Sequence, residues 1–174
     1  PGASGPFRVP SVADLRVLGP LEVVDTEGEP IKLSGARQRG LLALLGLSSP
    51  AMVSTDVIIE SLWGADGIAR PDAALHTAVN RLRKELGDAQ VATEPGGYRL
   101  DIPTSNSDVS RFRALVRRGA QLMTLGHPLE AAEAYRQSLA QWRGPALADL
   151  REFEFAESAA RTSSSLNGLI IAST

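Results

Sequence analysis

The side chains with the clearest chemical potential lie in one stretch, LHTAVNRLRKEL, at residues 75–86. On a helix of 3.6 residues per turn, one side of this stretch presents hydroxyl, amide and cationic groups. These are Thr77, Asn80, Arg81 and Lys84, with His76 and Arg83 on the flank. Such groups bond base edges in the DNA major groove and the phosphates beside it. The pattern favours a nucleic-acid-binding helix, but an ordinary solvated face explains the spacing equally well.

The opposite side of this stretch is apolar and indicates a helix that packs on a domain. Leu75, Val79, Leu82 and Leu86 repeat at steps of three and four residues. With Pro71 before it and Gly87 after it, the pattern predicts a helix over residues 72–86. We interpret His76 as a polar flank residue, since no second His lies nearby to form a metal site.

A tight hairpin is predicted directly after this helix. Strands at residues 91–93 and 98–102 flank the turn Glu-Pro-Gly-Gly. We expect a shared packed face made of Val91, Thr93, Tyr98, Leu100 and Ile102. Arg99 then points outward, where a phosphate would run beside an inserted helix. The alternative for Arg99 is a surface charge that protects an edge strand from aggregation.

The elements before this helix complete a recognisable order. Residues 15–24 read as a strand that returns at residues 31–33 after a turn. Ser34 is predicted to cap a first helix, closed near Pro50, with a buried leucine face. Ser54 is predicted to cap a second helix that ends at Gly64; its core face is Ile58, Leu62 and Trp63. Strands, three helices and a hairpin are the order of a winged helix-turn-helix.

The chain changes character at residues 103–107 (PTSNS), where we place a domain boundary. Beyond it, helices are predicted at residues 108–125, 128–142 and 152–169. Gly126 at a turn, small Ala131 at a crossing and Tyr135 four residues later are typical of tetratricopeptide repeats, although any helical hairpin gives the same pattern.

About one and a half such repeats are present, whereas stability usually needs about three. We therefore expect an apolar stripe without its next neighbour, made of Phe153, Phe155, Leu166, Leu169 and Ile170. It would contact a second protomer or another protein. Deletion of residues 105–174 is expected to leave a winged helix that still binds DNA, less tightly.

Charge and composition set the alternatives. The net charge is −2, and residues 11–104 hold nine Lys or Arg against thirteen Asp or Glu. DNA binding therefore requires positive charge concentrated on one face. A protein-interaction scaffold with a winged helix that no longer binds DNA is the alternative that this acidity favours.

Enzyme chemistry has little support. Two His, no Cys and no glycine-rich phosphate loop offer no nucleophile–base pair, cofactor or metal site. No apolar run is long enough to cross a membrane, and the Pro/Gly-rich residues 1–10 read as a flexible leader.

Several motifs together resemble a known family. LHTAVNRLRKEL, followed by PGGYRL at residues 95–100 and preceded by LWG at residues 62–64, resembles the recognition helix and wing of OmpR-type output domains. Together with LGPLEV (18–23), ARQRGLLALL (36–45) and RGPALADL (143–150), residues 15–160 are similar to Streptomyces antibiotic regulatory proteins.

The resemblance implies a fold and residue roles. The fold is an α+β winged helix-turn-helix at residues 11–104, followed by an incomplete all-α, tetratricopeptide-like domain at residues 105–174. Thr77 and Arg81 would contact bases. Phosphate contacts would come from Asn80, Arg83, Lys84 and Arg99, with Trp63 and Tyr98 in support. Relatives often carry Arg where this chain has Asn80, which puts one charged contact in doubt.

The resemblance also implies a function. The protein would be a cytoplasmic, nucleoid-associated transcription activator without a cofactor. Two head-to-tail protomers would bind direct repeats in double-stranded DNA. They would recruit RNA polymerase through its σ subunit and control antibiotic genes.

Overall fold

The computed structural model describes residues 12–64 and 68–161. The N-terminal half contains the strands β1 (Val12–Arg16), β2 (Glu22–Asp25), β3 (Val53–Ser54), β4 (Val91–Glu94) and β5 (Gly97–Leu100), and the helices α1 (Ala36–Ser48), α2 (Thr55–Trp63) and α3 (Pro71–Leu86). The C-terminal half contains α4 (Asp108–Thr124), α5 (Pro128–Leu139) and a helix at residues 154–161, here α6. The predicted leader at residues 1–10 and the end of the third predicted C-terminal helix lie outside the described residues.

The N-terminal hairpin forms earlier in the chain than predicted. β1 and β2 pair antiparallel, with Leu15 opposite Val23. The predicted return strand at residues 31–33 was wrong: this segment has no strand, and only Val24 and Pro30 form a bridge. Gly19 and Pro20 lie in the connection between β1 and β2.

The cap predicted for α1 was also wrong. α1 begins after Gly35, which supplies no side-chain cap, and Ser34 instead hydrogen-bonds the Glu85 side chain on α3. The predicted leucine face is confirmed, since Leu41, Leu42 and Leu45 are fully buried. Ser34 therefore links two helices rather than starting one.

The next two helices agree with their predicted signals. Ser54 caps α2 by accepting a hydrogen bond from the Val57 N–H, and Gly64 follows its last residue. α3 begins at Pro71, where a missing N–H costs nothing, and ends before Gly87. Its predicted apolar stripe is at most 1% exposed. α3 packs on α1 and α2, so its other side is free to face outward.

The hairpin after α3 joins a three-stranded sheet in the order β3-β5-β4. Val91, Tyr98, Leu100 and Ile102 are buried as predicted. Thr93 lies on the same face, opposite Tyr98, but it is exposed rather than packed, because it lies near the tip of the hairpin. The wing is thus anchored at its base and open at its end.

The two halves share one hydrophobic core. Buried residues of β1 and α1 belong to the same cluster as Phe112 on α4, Leu147, Leu150 and Phe153. Phe153, predicted to lie on an uncovered stripe, is only 3% exposed; Phe155 is half-buried beside it, with ring centroids 5.6 Å apart. The helical half is therefore packed on the winged helix rather than joined by a loose linker.

A carboxylate at the start of α4 fastens this packing. Buried Asp108 accepts hydrogen bonds from the backbone N–H groups of Val17 (2.9 Å) and Leu18 (2.9 Å) in the N-terminal half. From the helical half, the Arg143 side chain donates a hydrogen bond to the Pro20 carbonyl and forms an ion pair with Glu22.

Among the described residues, no helix is both long and apolar enough to span a membrane.

Candidate nucleic-acid interface

The outer face of α3 presents the side chains singled out by the sequence. Thr77, Asn80, Arg81 and Lys84 are all exposed. The Thr77 hydroxyl donates to the Ala73 carbonyl at 2.8 Å, so its oxygen can still accept a hydrogen bond and its methyl group stays free. Arg81 and Lys84 form no ion pair within the described part of the chain, so the structure brings four polar groups onto one open helix face.

Arg83 has a different environment from its neighbours. Its guanidinium donates to the Val91 carbonyl at 2.7 and 3.0 Å and to the Thr93 hydroxyl at 2.8 Å. These bonds tie α3 to β4, the first strand of the wing. Three of the five N–H donors are used, which leaves two for a phosphate. The phosphate contact of Arg83 stays a prediction. The structure adds a second role for Arg83, the link between α3 and β4.

Arg99 also has partners within the wing. Its side chain pairs with Asp101 at 2.9 Å and with Glu94 at 3.1 Å. The hydrogen bond that Arg99 donates to Asp101, and then the one that it donates to Glu94, raise the pKa of Arg99 above its usual value. The two carboxylates offset its positive charge, which weakens its attraction for phosphate. Its predicted phosphate contact is untested.

A groove at the beginning of α3 collects cations that the sequence analysis missed. It encloses about 340 Å³, and Arg37, Arg70 and Arg81 all line it together with Trp63 and Thr77. The three guanidiniums form no ion pair within the described residues, and the N-terminus of α3 adds a positive dipole end. No sequence signal joined them, because Arg37 comes from α1 and Arg70 from the segment before α3.

Trp63 supports this groove directly. The Arg37 guanidinium lies 5.4 Å from the Trp63 ring centroid and 5.5 Å from that of Phe153. Cation–π contact of this kind holds a long side chain in place without neutralising it. The loop that Trp63 was expected to support includes residues 65–67, which lie outside the described residues. Tyr98, the other predicted support, is 7% exposed and lies opposite Thr93 in the wing.

Several acidic residues of the N-terminal half are engaged away from the outer face of α3, although Asp72 is exposed in its first turn. Asp14 pairs with Arg16 and Arg111, and Glu22 with Arg143, all at the hairpin that packs near α4. Asp25 accepts N–H groups of its own turn. Within the described part of this half, Arg37, Arg70, Arg81 and Lys84 form no ion pair and lie on the α3 side, although the half as a whole is acidic.

Two family models match the chain. The model for the C-terminal domain of transcriptional regulatory proteins matches residues 28–100, and the bacterial transcriptional activator domain matches residues 107–168. The chain is 34% identical over 160 residues to the transcriptional regulatory protein EmbR of Mycobacterium tuberculosis, covering 88% of this chain and 41% of EmbR. It is 30% identical over 162 residues to the transcriptional regulator RedD of Streptomyces coelicolor, covering 87% of this chain and 46% of RedD.

A solved structure shows the same arrangement. The structure of EmbR in complex with a low-affinity phosphopeptide superposes with a TM-score of 0.80 at 34% identity, covering 90% of this chain and 43% of that one. The chain thus spans less than half the length of these relatives. With both domains in this order and these relatives, the chain belongs to the Streptomyces antibiotic regulatory protein family of transcriptional regulators.

Proposed function

We propose that this chain is the DNA-binding, activating part of a transcription activator, and that α3 enters the major groove. The observation that carries the proposal is the open face of α3, where Thr77, Asn80, Arg81 and Lys84 are exposed beside a groove of unpaired arginines. Such a face supplies both base contacts and phosphate contacts. A location in the cytoplasm, on the nucleoid, follows from this role.

The residue roles follow the family resemblance. Thr77 and Arg81 contact bases, and Asn80 and Lys84 contact phosphates; all four side chains are exposed on the outer face of α3. Arg37 and Arg70 grip a phosphate at the start of α3, where the helix dipole assists them. Arg83 and Arg99 add phosphate contacts from the wing side, each with part of its hydrogen-bonding capacity already used.

The scaffold alternative rests on the acidity of the N-terminal half. That acidity is a weak argument against DNA binding, because Asp14, Glu22 and Glu94 are held in ion pairs. Local potential, rather than net charge, governs whether a face attracts a polyanion.

The helical half is proposed to be tetratricopeptide-like and to contact RNA polymerase. α4 and α5 approach closely at Gly119, where an added Cβ would lie 2.6 Å from the Tyr135 ring. Such small-residue crossings are typical of these repeats. At the turn between the helices, Met123, Leu125 and Leu129 are 53%, 70% and 87% exposed. An apolar cluster of this kind marks a protein contact, and we assign that contact to the σ subunit, the partner that the family resemblance implies.

The family resemblance also supports binding as two head-to-tail protomers on direct repeats, and control of antibiotic genes. Selection from a random pool of DNA duplexes tests the DNA-binding proposal without knowledge of the operator. The proposal predicts enrichment of one motif that recurs in the same orientation about one helical turn apart. Retention of the pool without enrichment would contradict sequence-specific binding, and no retention at low salt would favour the scaffold.

A further inference from the structure

A second polar cavity lies on a different part of the molecule, at the junction of the two halves. It encloses about 400 Å³ between the end of α1 and the beginning of α4. Three arginines line it, Arg111, Arg113 and Arg117, and four of its other lining residues carry hydroxyl groups. Among the described residues that line this cavity, none is Asp or Glu. The residue types are those of an anion site rather than of an apolar pocket.

Ser110 gives this cavity an unsatisfied polar group. It lines the cavity and is only 9% exposed, and its Oγ is buried without a hydrogen-bond partner. A buried hydroxyl without a partner costs free energy, and native proteins rarely leave one so. An oxygen-rich ligand in the cavity would supply the missing partner once the Ser110 side chain turns toward it.

Two of the three guanidiniums, those of Arg111 and Arg113, are held in place before any ligand arrives. Arg113 donates to the Leu47 carbonyl at 2.8 Å and the Ser49 carbonyl at 3.0 Å, at the end of α1. Those two bonds leave three of its five N–H donors free. Arg117, one turn further along α4, is exposed and has no ion pair in the described part of the chain. Only Arg111 is balanced by a carboxylate, that of Asp14, so positive charge is in excess.

We propose that this cavity binds the phosphate group of a small phosphorylated molecule. Guanidinium groups match the geometry of phosphate oxygens, and a buried hydroxyl adds a neutral donor. The volume falls in the range of small-molecule sites, roughly 300–1,000 Å³. A phosphate on a DNA duplex lies on an outer ridge and would meet exposed cations, whereas Ser110 lies inside a concavity. The bound molecule would bridge α1 and α4, and so both halves of the protein.

Calorimetric titration of the full chain with inorganic phosphate and with pyrophosphate, at constant ionic strength in chloride, tests the proposal. Ser110→Ala and Arg117→Ala are the test variants, because Ser110 Oγ and the Arg117 guanidinium form no bonds that the fold needs. Arg118→Ala is the matched control: it is exposed on the same helix, adjacent in sequence, and does not line the cavity. Arg111 and Arg113 are left unchanged because they join the halves.

The wild-type chain and the Arg118→Ala variant are expected to bind at least one of the two probes. Each test variant should bind about tenfold more weakly, and Ser110→Ala should melt at the same or a higher temperature. No binding by the wild type, or equal affinity in all four proteins, would overturn the proposal. The proposal is also overturned if neither probe binds and only Arg117→Ala weakens binding to random DNA. Arg117 would then contact a phosphate of the DNA backbone rather than one of a small molecule.

Discussion

Arg83 and Lys84 are neighbours on α3, yet their side chains are in different situations. The Arg83 guanidinium bonds the Val91 carbonyl and the Thr93 hydroxyl, and only part of it remains for DNA. Lys84 is exposed and free of ion pairs within the described residues. A cation that holds a wing in place contributes to folding, whereas a free cation contributes mainly to the attraction of a polyanion.

This contrast predicts different effects of the two alanine variants. Lys84→Ala should weaken binding similarly on all DNA sequences and reduce the salt slope by about one unit, without a change in stability. Arg83→Ala should in addition lower the free energy of unfolding by about 1 kcal/mol, because the Val91 carbonyl loses its donors. DNA titrations at several salt concentrations and urea unfolding measure the two quantities. Equal stability of the two variants would contradict the structural role of Arg83.

Residue positions on α3 could be predicted from the sequence, but their partners could not. A strict three-and-four spacing of Leu75, Val79 and Leu82 fixes which side is buried, so the exposure of Arg81 follows. The partners of Arg83 and Arg99 depend on where the β4 backbone lies, which periodicity does not encode. The groove that Arg37 lines forms because α1 and α3 pack together. Sequence periodicity does not show which helices pack together, so the groove could not be predicted.

Helix α1 is the element on which the two halves meet. Gly40 lies at the contact: an added Cβ would be 2.8 Å from the Phe153 ring and 2.9 Å from Leu62. The absence of a side chain there lets Phe153 approach the helix backbone. The ring in turn contributes to the support of Arg37, so packing at Gly40 reaches the proposed DNA interface.

Gly40→Val is therefore expected to lower the free energy of unfolding by about 1–3 kcal/mol through overpacking. Ala36→Val, on the exposed first turn of the same helix, should cost less than about 1 kcal/mol. In a double-mutant cycle with Phe153→Ala, the combined loss should be smaller than the sum, since removal of the ring makes room. Strict additivity in urea unfolding would show that the two residues do not meet.

The beginning of α4 carries a second link between the halves, the buried Asp108 carboxylate. Burial raises the pKa of Asp108 above its ordinary value, and hydrogen bonds from Val17, Leu18 and Val109 oppose the shift. Since the folded state binds the proton more readily than the unfolded state, this group makes folding less favourable as the pH rises. The window begins at the unfolded pKa of about 3.9 and ends at the raised value.

Asp108→Asn removes this proton-binding group. The free energy of unfolding of the wild type minus that of the variant should fall with rising pH across the window and then level off. Urea unfolding of both proteins between about pH 3.5 and pH 7 measures this difference. The test uses the change of the difference with pH, so a constant loss of stability caused by the substitution does not affect it. A difference that rises with pH would mean that the three N–H donors outweigh burial.

The two halves of the molecule share one hydrophobic core. Deletion of residues 105–174, expected from the sequence to leave a competent winged helix, would remove the Asp108 carboxylate that binds the Val17 and Leu18 N–H groups and the Phe153 ring that packs on Gly40. The sequence could not predict this, because a polar stretch at residues 103–107 looks like a linker whether or not the helices fold back. Tests of activation therefore require point variants in the full chain.

Leu125→Ser with Leu129→Ser is such a variant, since both side chains are largely exposed. We expect it to fold and to bind DNA normally but to lose most promoter-specific transcription in vitro, because the apolar contact with RNA polymerase is removed. The measurement is made at saturating occupancy of the DNA. Ala132→Ser, a half-buried position on α5 away from the turn, is the control. Unchanged transcription by the double variant would place the activating surface elsewhere.

We propose that this protein reads DNA sequence through the outer face of α3, and substitution of Arg81 is the sharpest test of this proposal. The measurement is the affinity of the wild-type chain and of Arg81→Ala for a selected duplex, for the same duplex substituted at each base pair in turn, and for random DNA. If Arg81 bonds a guanine, the variant should lose about 1–3 kcal/mol on the selected duplex, much less on random DNA, and its preference at one base position. Equal losses on selected and random DNA, with preferences intact at every position, would contradict base reading by this helix.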